Sequence, residues 1–214
     1  MKILVTGFGP FGGDAINPAF EAVKLIPSKV AGATIIKEEI PTVFGKCGEV
    51  LEKLIEKHQP DAVMCVGQAG GYSAIAVEKI AVNLAEARIP DNENQQPSDE
   101  AIVEGAPLAY FATLPVKAMV KAIKDNGIPA KVTYSAGTFV CNDIMYRLLH
   151  MTAQKFPKIR GGFVHVPFDT AQVVGRPDGT PSMPIAIIAK SLEHALEAIY
   201  FNEKDIEGLA GATH

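Results

Sequence analysis

The chain has 214 residues, 48% hydrophobic and 21% charged, with a formal charge of −4. That length buries about 70% of the unfolded surface in one core, so it fits one domain spanning residues 1–214. The apolar fraction excludes disorder, no 18-residue stretch is free of charge to span a bilayer, and the acidic balance offers nucleic acid or anionic lipid no basic field.

Short β-branched runs alternate with amphipathic stretches, which predicts an α/β fold whose largely parallel sheet is covered by helices. In chain order, strands are expected at Lys2–Thr6, Ala33–Ile40, Ala62–Val66, Ala74–Leu84, Lys131–Ser135 and Gly162–Val166. Helices are expected at Pro18–Leu25, Gly45–Lys57, Val116–Asn126, Asn142–Gln154 and Pro184–Phe201. Asn17 before Pro18 makes a cap and first-turn pair, and Gly127 is a helix stop. The polar stretch Pro90–Pro107 is the one long irregular segment, of a length that is usually functional or mobile. The N-terminus reads as a buried strand with no secretory pattern. Three cysteines without a C-x-x-C suit neither a disulfide scaffold nor structural zinc, so reduced thiols in the cytoplasm are expected.

Four segments could carry chemistry. Gly7-Phe8-Gly9-Pro10-Phe11-Gly12 spells G-x-G-x-x-G after a strand, but a dinucleotide site needs a helix to begin inside that loop. Pro10 and the Gly12-Gly13 pair disfavour one, and the nearest acidic candidates for a ribose at a second strand end, Glu38 and Glu39, stand about thirty positions from Gly7 rather than about 20. Two phenylalanines there suggest flat apolar walls, although loop rings tucked into the core would look the same. The alternative reading is a nucleotide- or phosphate-binding protein using Gly7–Gly13. In the second segment, Ser135 to Tyr146, Cys141 falls where a helix should begin, and the amides and positive dipole end there favour a thiolate. Cys65, inside an apolar run, reads as an inert core thiol, and Cys47 lies near another helix start. The third segment places His165 at the end of an apolar strand, just before Pro167, at a sheet edge where α/β sites open. His58, His150, His194 and His214 read as solvated. The fourth follows Gly67-Gln68-Ala-Gly-Gly71, where Glu78 interrupts an apolar stretch. A carboxylate there needs a partner; Lys79 points to the opposite strand face, and an imidazolium would serve.

A cysteine, a histidine and a carboxylate form the minimum set for thiol-based acyl transfer. These segments resemble the pyroglutamyl peptidase I family of cytoplasmic cysteine peptidases. The likeness runs along nearly the whole chain: T-G-F-x-P-F-G-G with Asn17-Pro18, G-Q-A-G-G with Glu78 and Asn83, Ala87 to Asn92, A-G-T-F-V-C-N-x-I-x-Y, and Gly161 to Pro167. The resemblance implies a three-layer α/β/α sandwich with a twisted, largely parallel mixed sheet. It further implies a homotetramer, no metal or cofactor, and peptide substrates with N-terminal pyroglutamate. It makes Cys141 the nucleophile, His165 the general base and then acid, and Glu78 its orienter. Phe8 and Phe11 would flank the lactam, with Asn17, Gln68, Phe139 and Val140 nearby and Arg88 close to the oxyanion. The chain departs from the family's usual pattern at Gly9, Tyr72, Ala76 (where Ser or Thr usually stands) and Tyr134.

Overall fold

A computed structural model describes residues 1–208 and Ala210. The first strand, β1 (Lys2–Phe8), is buried from its second residue onward, the pattern of a strand covered on both faces. Helix α1 (Pro18–Leu25) starts where Asn17 accepts from the Ala19 amide, with Pro18 in the first turn. There follow β2 (Lys29–Val30), β3 (Ala33–Ile40), α2 (Lys46–His58), β4 (Ala62–Gln68), β5 (Ile75–Glu78), β6 (Ile80–Val82), β7 (Ala109–Phe111), α3 (Val116–Asp125), β8 (Ala130–Thr133), α4 (Val140–Gln154), β9 (Arg160–Val166), a short 3₁₀ turn at Thr170–Val173, and α5 (Ile185–Phe201).

Seven strands form one sheet in the order β2-β3-β1-β4-β9-β5-β8. Its centre, β3-β1-β4-β9, is parallel, while β5 runs antiparallel to β9 and parallel to β8. Helix α5 packs with α1 and α3, α2 packs with α4, and the β6–β7 hairpin lies against α4. The α/β class and the mixed, largely parallel sheet are therefore as the sequence predicts. Among the described residues, no helix is long and apolar enough to cross a membrane.

The predicted strand Ala74–Leu84 is two strands in different sheets. The break falls at Lys79, whose amide donates to the Thr133 carbonyl while its own carbonyl accepts from Ala112. Those partners pull the chain out of the main sheet. The segment Pro90–Pro107 is tied down along its length. Ala85 bridges Glu100, Asn83 exchanges hydrogen bonds with Val103, and Arg147 and the Tyr146 hydroxyl donate to the Ile102 and Pro107 carbonyls. The three described helical histidines are less solvated than expected: His194 is buried beside Glu197, His58 meets Glu38, and His150 meets the Tyr110 hydroxyl. His214 lies outside the described residues.

Candidate active site

The site sits at the C-terminal edge of the central strands, where α4 begins. In the β4–β9 register Gly67 faces His165, and in the β9–β5 register His165 faces Ala76 and Phe163 faces Glu78. Side chains two residues apart share a sheet face, so His165, Phe163 and Glu78 converge on one side. The His165 Nδ1–H donates to Glu78 Oε1 at 2.8 Å, with the carboxylate fully buried. This is the imidazolium partner that Glu78 needs. The ring stands edge-on to Phe163 at 4.8 Å and to Tyr72 at 6.2 Å.

Cys141 is the second residue of α4 and half-buried. Among the described residues no side chain caps this helix, so its first amides face the site together with the positive dipole end. The thiol lies close over β4: a Cβ added to Gly67 would fall 2.8 Å from Cys141 Sγ and 2.7 Å from Phe163 Cζ. Burial pushes the His165 imidazole down, but the charge of Cys141, a hydrogen bond to it, and Glu78 push it up more strongly, to about 9. At neutral pH the ring is an imidazolium between a sulfur and a carboxylate. The other thiols are different. Burial pushes Cys65 up to about 12, and Cys47, also raised by burial, hydrogen-bonds to Asp143.

A cavity of about 420 Å³ opens in front of Cys141 and His165. Phe8, Phe11, Asn17, Gln68, Arg88 and Phe139 line it, as do Tyr72, where the chain departs from the family's pattern, Ser135, which opens the cysteine segment, and Thr42, to which the sequence does not point. The Phe11 and Phe139 rings lie 6.3 Å apart, and Phe44 braces Phe139 edge-on at 5.2 Å. Phe44 is held in turn by Asp91, whose buried carboxylate accepts from its amide at 2.9 Å. Gln68 accepts from Gln172 Nε2 at 2.9 Å, so the 3₁₀ turn steadies it. Two of the positions that the resemblance names are also built into the scaffold. Asn17 spends both ends of its amide on the scaffold, capping α1 and donating to the Gly9 carbonyl. The Val140 side chain is fully buried in the core and leaves only its backbone near the cavity. Distance in sequence hid Thr42 and Phe44. The Asp91-Asn92 pair alone carried a usable signal, a turn-forming dipeptide in a long loop.

The Gly7–Gly13 loop makes no phosphate cradle. Gly7 lets β1 approach α1, where a Cβ would meet the Phe20 backbone at 2.6 Å. The first available amide of α1 is already satisfied by Asn17.

An α/β fold presenting a cysteine at a helix start beside a carboxylate-held imidazolium is the arrangement of a thiol-dependent acyl-transfer enzyme. Residues 1–202 match the pyroglutamyl peptidase family, and the chain belongs to it. It is 58% identical over its full length to the whole pyrrolidone-carboxylate peptidase of Enterococcus faecalis. The crystal structure of pyroglutamyl peptidase I from Bacillus amyloliquefaciens superposes with a TM-score of 0.93 at 48% identity, covering 97% of this chain and 98% of that one. The pyrrolidone carboxyl peptidase from Thermococcus litoralis gives 0.92 at 41% identity, with 97% and 99% covered.

Proposed function

We propose that this chain is a cysteine peptidase that removes N-terminal pyroglutamate from peptides, with Cys141 as nucleophile, His165 as proton carrier and Glu78 as its orienter. The observation that carries the reading is the 2.8 Å bond from His165 to Glu78 beside a helix-start cysteine in an aromatic-walled cavity.

The Cys141 thiolate attacks the pyroglutamyl carbonyl carbon, and the carbonyl π pair moves onto oxygen. Amides at the start of α4 stabilise that oxyanion with the dipole behind them, and Arg88 lies at the mouth of the cavity to assist; one such donor contributes about 3 kcal/mol. When the tetrahedral intermediate collapses, His165 protonates the departing amine and leaves a thioester. The now neutral imidazole takes a proton from water, whose oxygen attacks the thioester, releasing pyroglutamate and restoring the ion pair. Glu78 keeps Nδ1 engaged, so Nε2 faces the sulfur and the leaving group throughout. Phe8, Phe11 and Phe139 enclose the faces of the flat lactam, and Gln68 meets its polar edge.

The same reading takes the chain as one catalytic domain in the cytoplasm, supported by one hydrophobic cluster and three free thiols. It also takes the assembly as a homotetramer, to which the exposed Leu108, Phe111 and Phe201 offer apolar surface. Light scattering at micromolar concentration checks the assembly, and a monomer refutes that part. The catalytic test is hydrolysis of a pyroglutamyl fluorogenic amide. Cys141→Ser is expected to abolish it, while Cys47→Ser and Cys65→Ser keep most of it. A folded Cys65→Ser as inactive as Cys141→Ser refutes the assignment.

A further inference from the structure

Glu78 accepts the His165 proton through Oε1, and its second oxygen has no partner. Among the described residues, Glu78 Oε2 and Thr133 Oγ1 are the two buried side-chain polar atoms that lack a hydrogen bond. They are neighbours by construction of the sheet. Glu78 and Thr133 are register partners on β5 and β8, and paired residues point to the same face. The other same-face neighbour of Glu78 on its own strand is Ala76, which has no donor to offer. A buried carboxylate oxygen without a donor is costly, and so is a buried hydroxyl without an acceptor; the two needs are complementary. A threonine hydroxyl chooses its direction by rotation about χ1, and one water spans any gap too wide for a direct bond.

We infer that Thr133 is a positioning residue for catalysis: its hydroxyl donates to Glu78 Oε2, directly or across one water, and holds the carboxylate in the plane from which Oε1 orients His165. The side chain acts separately from the main chain, because the Thr133 carbonyl already accepts from the Lys79 amide and fixes the end of β5. Replacing the hydroxyl therefore leaves the strand connection intact. Released from Oε2, Glu78 turns more freely, grips the imidazolium less well, and lets Nε2 drift from the sulfur.

This inference rests on the peptidase reading, and the experiment separates the two. Wild type, Thr133→Val, Thr133→Ala and Thr133→Ser are compared on a pyroglutamyl fluorogenic amide, with kcat, KM and the pH profile measured and folding checked by thermal unfolding. Valine keeps the shape and removes the hydroxyl; alanine serves if valine does not fold. Thr133→Val is expected to lower kcat about tenfold, the effect of one hydrogen bond to a charged group, with KM within about twofold. The alkaline limb of kcat/KM is expected to move to lower pH. The titratable groups facing that imidazolium are Cys141, Glu78 and Tyr72, with Lys131 over the Tyr72 ring, and none of them is altered. Thr133→Ser is expected to restore kcat to within about twofold of wild type.

Wild-type kcat and an unmoved profile in a folded Thr133→Val or Thr133→Ala overturn the inference. So does a serine variant as slow as the valine one, or a change confined to KM. Should wild type itself fail to turn over the amide, the peptidase reading fails. Iodoacetamide labelling of Cys141 against pH then tests Thr133 alone. A profile displaced to higher pH in Thr133→Val supports the inference, and a superimposable one refutes it.

Discussion

Gly67→Ala puts one methyl group into the narrowest part of the site. The new Cβ would stand 2.8 Å from Cys141 Sγ and 2.7 Å from Phe163 Cζ, where ordinary contact begins near 3.4 Å. The sulfur would have to retreat by about 0.6 Å, and Phe163 cannot yield to spare it, being fully buried under His165. The clash comes from two elements at once, α4 and β9, so moving either one does not relieve the other. Displacements of this order cost about 10- to 100-fold in kcat/KM when they spoil the approach of reacting atoms. Overpacking should also cost about 1–3 kcal/mol of stability. The assay is hydrolysis of the pyroglutamyl amide beside a thermal melt. A folded Gly67→Ala enzyme within threefold of wild type would show that Cys141 does not react from this position.

Three further outcomes follow from the site. Because His165 titrates at about 9 in the native state and near 6.5 when unfolded, its charge stabilises the fold fully below about 6.5. That contribution is lost as pH rises through 9, so denaturation midpoints should fall across this window, and His165→Ala should flatten the fall. The kcat/KM profile should decline above pH 9 for the same reason, and a rate that keeps rising there would contradict the raised imidazolium. Selectivity for pyroglutamyl over prolyl or glutaminyl amides should reach about 10³ in kcat/KM, or about 4 kcal/mol. Among the described residues no acidic side chain lines the cavity to receive an ammonium, and Arg88 repels one; comparable turnover of prolyl amides would refute this pocket.

Strands β1 and β4 at the centre of the sheet were legible because they are nearly continuous apolar runs, and α1 because Asn17 and Pro18 mark its start. The run from Ala74 to Leu84 misled for the same reason: its apolar character persists through Lys79, and only distant partners at Thr133 and Ala112 divide it. β7 is three residues long and pairs with β6 across a long loop, so it left no local pattern. In the site, the helix-start position of Cys141 and the misplaced charge of Glu78 could be read from their neighbours. Their meeting with His165 depends on the register of three strands, for which local sequence carries no signal. His194 looked solvated because burial on a helix face depends on what packs there, and Glu197 one turn on supplies its partner.

With Cys141 as the nucleophile, turnover must pass through a covalent pyroglutamyl thioester on its sulfur. Wild-type enzyme is mixed with excess pyroglutamyl amide, quenched in acid during steady-state turnover, digested and analysed by mass spectrometry. A single pyroglutamyl adduct is expected, confined to the peptide containing Cys141 and absent from Cys141→Ser. An adduct on Cys47 or Cys65, or full turnover by Cys141→Ser without any adduct, would contradict it.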